Sequence, residues 1–71
     1  MPPVPILRPS EVVKALERHG WRVARRRGSH IIMTKLGHKA TLSVPNHTSV
    51  ARGTLRTLIA RAGLSLDDLL G

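Results

Sequence analysis

The sequence predicts a small two-layer α+β fold, ordered α-β-β-β-α with a further short helix at the C-terminal end. Three observations carry this: an apolar stripe at helical spacing near each end of the chain, three β-like runs between them, and a glycine at four of the five joins. Seventy-one residues leave room for one domain, and the absence of cysteine excludes disulfide and thiolate metal frameworks. A hydrophobic content of 41% is enough for a packed core and argues against disorder.

Four of the five prolines fall within residues 1–9, where fixed φ and missing N–H donors favour an extended segment. The folded domain is expected over 10–71. Ser10 is a natural N-cap, with Glu11 at the positive end of the helix dipole and Val12, Val13 and Leu16 as the apolar stripe. Gly20 ends that helix. Trp21-Arg22-Val23-Ala24-Arg25-Arg26-Arg27 alternates with period two, which predicts a half-buried strand with Trp21 and Val23 on one face and Arg22, Ala24 and Arg26 on the other. Trp21 reads as a core residue.

Gly28-Ser29 breaks the alternation, and the β-branched run from His30 to Lys35 predicts a second strand. Gly37 supplies a hairpin, and Ala40 to Val44 alternates as a third. Pro45 to Ser49 is loop chemistry. Leu55, Leu58, Ile59 and Ala62 then match one helical face without a miss, Gly63 closes it, and Ser65-Leu66-Asp67-Asp68 reads as a capping box opening the last turn. Both main helices have a single apolar stripe, so both can pack on one face of the sheet and leave the other open. A basic two-layer unit of this order is the architecture of double-stranded-RNA-binding domains.

Charge narrows the partners. Twelve Lys and Arg oppose four Asp and Glu, and from Arg18 to Arg61 ten basic residues occur with no acid between them. Such segregation creates a positive field that attracts polyanions, nucleic acid first among them. No apolar run is long enough for a membrane span, and the first residues lack the pattern of a secretory signal, so a cytoplasmic location without membrane association is expected. One tryptophan without phenylalanine or tyrosine gives no base-stacking platform. Three consecutive strands are incompatible with a helix-turn-helix reader.

Catalysis must come from a short list. The four acids flank the fold and do not provide converging carboxylates for two-metal phosphodiester cleavage, and His19, His30, His38 and His47 have no metal-ligand spacing, so neither a metal nor another cofactor is expected. What remains is metal-independent RNA cleavage, in which an imidazole takes the proton of a ribose 2′-OH and the substrate supplies its own nucleophile. His30 is the best-placed candidate, following Gly28-Ser29 at the start of a strand just after Arg25-Arg26-Arg27. A half-exposed strand histidine without a chemical role is the alternative at this position.

Gly20-Trp21, Gly28-Ser29-His30, Val44-Pro45-Asn46-His47, Arg52-Gly53-Thr54-Leu55 and Ala62-Gly63-Leu64-Ser65, in this order, resemble the HicA (YcfA-like) toxin family over about residues 10 to 70. The resemblance implies a double-stranded-RNA-binding-like fold used as an mRNA interferase, the toxin of a type II toxin–antitoxin pair neutralised by a HicB-type antitoxin. It implies a catalytic role for His30, which holds the family's Gly-Ser-His position behind Gly28 and Ser29. His47 matches the proline-x-histidine segment, as a candidate acid or phosphate contact. Arg25, Arg26, Arg27, Lys35, Lys39, Arg52 and Arg56 are the candidate RNA contacts. A non-catalytic basic RNA-binding module is the alternative function, and a DNA-associated regulator a third.

Overall fold

A computed structural model describes residues 6–71 and shows α1 (Pro9–Arg18), β1 (Trp21–Arg27), β2 (His30–Lys35), β3 (His38–Pro45), α2 (Arg52–Ala62) and α3 (Leu66–Leu70). The α+β order expected from the sequence is the one observed. The strands form one antiparallel sheet in the order β1-β2-β3, which puts β2 at its centre.

The first helix starts two residues earlier than a Ser10 cap would place it. Arg8 is the N-cap and Pro9 occupies the first helical position, where its fixed φ fits and its missing N–H costs nothing. Glu11 reaches back to accept from the Arg8 N–H at 3.0 Å, so the carboxylate rather than a serine hydroxyl satisfies the free amide. Leu7 pairs in an antiparallel bridge with Val50, whose N–H donates to the Leu7 carbonyl at 2.7 Å. The extended segment expected over 1–9 therefore meets the fold at Leu7 to Pro9, and residues 1–5 lie outside the described part.

All the buried apolar side chains of the sheet point to one side. Trp21, Ile31, Met33, Leu42 and Val44 meet Val12, Ala15 and Leu16 of α1, Leu55, Leu58, Ile59 and Ala62 of α2, and Leu69 of α3 in one core. Burying a side chain of leucine or methionine size contributes about 1.5–3 kcal/mol, so this layer is what holds the sheet flat against the helices. Trp21 is a core residue as expected, stacked in a tilted contact with His38 at 4.9 Å between ring centres. The stripe on α2 is buried as its spacing predicts.

At the end of α1, Gly20 takes φ +92°, and a Cβ there would stand 3.3 Å from Cε of Lys35. The position needs glycine both for its backbone angle and for the lysine stem lying across it. The capping box of α3 is closed in both directions: Asp68 N–H donates to Ser65 Oγ at 3.1 Å and Ser65 N–H donates to Asp68 Oδ2 at 2.9 Å. The Ser65 backbone N–H first, and the Ser65 hydroxyl second, hold the Asp68 carboxyl below its ordinary value, opposed by desolvation and helped by the charge of His19. Arg18 Nη2 donates to the Leu69 carbonyl at 3.0 Å and His19 Nε2 donates to the Asp68 carbonyl at 2.8 Å, clipping α3 to the end of α1.

One departure from regular pairing decides which arginines face where. Val23 pairs with Met33, but Arg25 pairs with Ile32, so Ala24 is an extra residue in a β-bulge. Past the bulge the alternation is inverted. Arg26 is the partner of buried Ile31, and with Ser10, Val13 and Glu17 it lines a pocket on the α1 side of the sheet. The expectation that Arg22 and Arg26 share a face is thereby corrected: Arg22, Arg25 and Arg27 share it. Val23, expected to be buried beside Trp21, is 37% exposed because β1 is an edge strand.

Candidate functional site

The face of the sheet that carries no helix is built by alternation. Its residues are Arg22, Arg25 and Arg27 of β1, His30, Ile32 and Thr34 of β2, and Lys39, Thr41 and Ser43 of β3. All are exposed except Ile32, which is half-buried. The described acids belong to the helical layer, Glu11 and Glu17 on α1 and Asp67 and Asp68 on α3. The open face therefore carries cations and hydroxyls around one imidazole, with no carboxylate from its own strands.

His30 is the first residue of the central strand and has a neighbour on both sides. Its Cα partner on β1 is Arg27 and its partner on β3 is Pro45. Directly opposed residues place their Cβ atoms about 4.5–5.5 Å apart, which puts the Arg27 side chain within easy reach of anything bound at His30. Diagonally across β3, Ser43 Oγ lies 3.2 Å from His30 Nδ1. The other ring nitrogen, Nε2, is the one left for a ligand approaching the exposed face.

Gly28 and Ser29 are the two residues of the β1–β2 turn. Gly28 has φ +58°, the sign required at the first central position of a II′-type hairpin, and space is open around it. Asn46 N–H donates to the Ser29 carbonyl at 2.6 Å, extending the pairing of β2 and β3 one step beyond Pro45. That bond brings the Gly28-Ser29-His30 and Pro45-Asn46-His47 segments together at one end of the sheet. His47 is exposed one residue further on.

The other sequence candidates are spread out. Arg25 and Arg27 lie on the face of His30, whereas Arg26 lies on the opposite face. Lys35 pairs with Trp21 and His38 on the helix-covered side, at the far hairpin, and its stem packs over Gly20. It lies five steps along the strand from His30, about 16 Å at ~3.3 Å per step. Lys39 shares the open face but belongs to that same distant end. Arg52 and Arg56 are exposed on α2, in the helical layer. Two of the four histidines have structural partners: His19 clips α3, and His38 Nδ1 accepts from Ala40 N–H at 3.3 Å while stacking on Trp21. Ser43 is the site residue that sequence reasoning passed over. Its signal was the alternation of Ala40 to Val44, which puts a hydroxyl on the outward face of the third strand.

Among the described residues, no three His, Asp or Glu side chains are grouped so as to hold a metal ion. No helix among them is long and apolar enough to cross a membrane.

A three-stranded antiparallel sheet backed on one side by helices, with a cationic open face, defines a small basic α+β domain whose fold is like that of double-stranded-RNA-binding domains. Residues 9–64 match the family described as the HicA toxin of bacterial toxin–antitoxin. That match spans most of the 71 residues, and the chain belongs to the HicA toxin family. Comparisons with curated proteins and with solved structures returned no significant match.

Proposed function

We propose that this toxin is a ribonuclease that cleaves mRNA without a metal ion, with His30 as the base. The observation that carries the reading is the placement of His30: first on the central strand, exposed, between Arg27 and Ser43 on a face without helices. His30 Nε2 takes the proton of a ribose 2′-OH. The 2′-oxygen attacks the adjacent phosphorus, the bond to the 5′-oxygen breaks, and the products are a 2′,3′-cyclic phosphate and a 5′-hydroxyl. His47, beside the same end of the sheet, is the candidate to protonate the departing oxygen or to bind its phosphate. Arg27 and Arg25 are aimed at the charge that develops on the phosphoryl oxygens, the kind of interaction that stabilises a transition state most. Gly28, at φ +58°, makes the tight turn that sets His30 at the start of the strand.

A HicB-type antitoxin would neutralise the toxin by covering this face with acidic or apolar groups, the complement of its charge. Its place of action is the cytoplasm, where mRNA is translated. The test is purified protein with a defined RNA in the presence of EDTA. Cyclic-phosphate ends from the wild type, and none from His30→Ala, support the reading. Salt-sensitive binding without any product supports the alternative, a non-catalytic RNA-binding module.

A further inference from the structure

We propose that Ser43 is a positioning residue that fixes the protonation geometry of His30, keeping the neutral ring protonated on Nδ1 and its lone pair on Nε2. The inference rests on the reading of His30 as a base, and deepens it.

A neutral imidazole carries one N–H, and the hydrogen bond made by one nitrogen decides what the other can do. Among the described residues, the hydrogen-bond partner of the His30 ring is Ser43, whose Oγ lies 3.2 Å from Nδ1. Were the serine to donate, Nδ1 would hold the lone pair, and the nitrogen facing a ligand would be an N–H unable to accept a proton. With Nδ1–H donating to Oγ, Nε2 is the acceptor of an exposed ring. Many sites assign this orienting task to a carboxylate. Here the described acids are in the helical layer, and a hydroxyl is what the strand supplies.

Both partners are held by the core behind them. Leu42 and Val44 are fully buried on either side of Ser43, and Ile31 is buried next to His30, so the pleat turns both side chains outward. Asn46 N–H to the Ser29 carbonyl, at 2.6 Å, locks the register at this end. A hydrogen bond between two rigid strands is the arrangement that holds a catalytic ring within narrow limits.

The discriminating pair is Ser43→Thr and Ser43→Val, which have nearly the same shape and β-propensity and differ in the hydroxyl. The readouts are the nitrogen chemical shifts of the His30 ring in the free protein above its titration, and kcat and KM on a defined RNA. The proposal expects the Nδ1–H form in the wild type and in Ser43→Thr, and a shift to the Nε2–H form in Ser43→Val. It also expects kcat to fall about 3- to 10-fold in Ser43→Val with KM unchanged, the loss of one neutral hydrogen bond. A wild-type ring protonated on Nε2, or a valine variant with unaltered ring shifts, overturns it. If the ring shifts behave as expected but no variant cleaves RNA, the serine–imidazole assignment holds and the ribonuclease reading fails.

Discussion

Replacing Arg27 and Arg25 with glutamine should weaken RNA binding in a manner that Arg26→Gln does not, although the three are consecutive. The difference comes from the bulge at Ala24, after which Arg25 and Arg27 pair with Ile32 and His30 on the open face while Arg26 pairs with buried Ile31. The size of the effect follows from counterion release. Each phosphate neutralised on a single strand adds about 0.7 to the slope of log affinity against log salt, so losing two contacts lowers the slope by about 1.4. Over a fourfold rise in salt, the wild type then loses about sevenfold more affinity than the double variant. The assay is a salt titration of binding to a short single-stranded RNA, carried out in a His30→Ala background so that the RNA persists. Arg26→Gln should leave the slope unchanged. If it lowers the slope as much as Arg27→Gln does, then either the inverted alternation or the open face as the interface is wrong.

Other outcomes follow from the core, the last helix and the first turn. Leu55→Ala removes a fully buried side chain where α2 meets the core and should cost about 2–5 kcal/mol, read as a lower denaturant midpoint. Asp68 is held below its ordinary value, so its contribution is present above the unfolded carboxyl value and is lost as pH falls through the lower folded value. Stability should therefore decline below about pH 4, and Ser65→Ala should make that decline shallower in a series of unfolding curves. Gly28→Ala adds a Cβ that meets nothing within 4 Å but must adopt φ +58°, so its cost is backbone strain alone, about 1 kcal/mol, seen as a melting point lower by roughly 4–8 °C.

Strong periodic patterns are legible in the sequence alone. The α2 stripe, the Ser65 box, the three strands and the burial of Trp21 follow from spacing alone, because each is decided by neighbours within a few residues. The start of α1 was misplaced because two local signals compete there, and proline at the first helical position with a glutamate reaching back outweighs a serine. The facing of the arginines was not legible. A bulge depends on what the partner strand needs, and Ile31 must reach the core whatever β1 does. The roles of His19 and His38 depend on contacts with α3 and Trp21 that chain separation hides. At the site, His30 was identified by its setting after a turn, and its flanking by Arg27 and Pro45 follows from antiparallel pairing. Its contact with Ser43 crosses strands diagonally, so it required the register.

The most direct test is the rate at which purified wild type and His30→Ala convert a labelled RNA to cyclic-phosphate fragments, measured with chelator present and with binding of the RNA monitored in parallel. The account predicts that the variant binds as the wild type does and cleaves at least about 100-fold more slowly, the scale of a lost general base. Equal cleavage by the two proteins would contradict it.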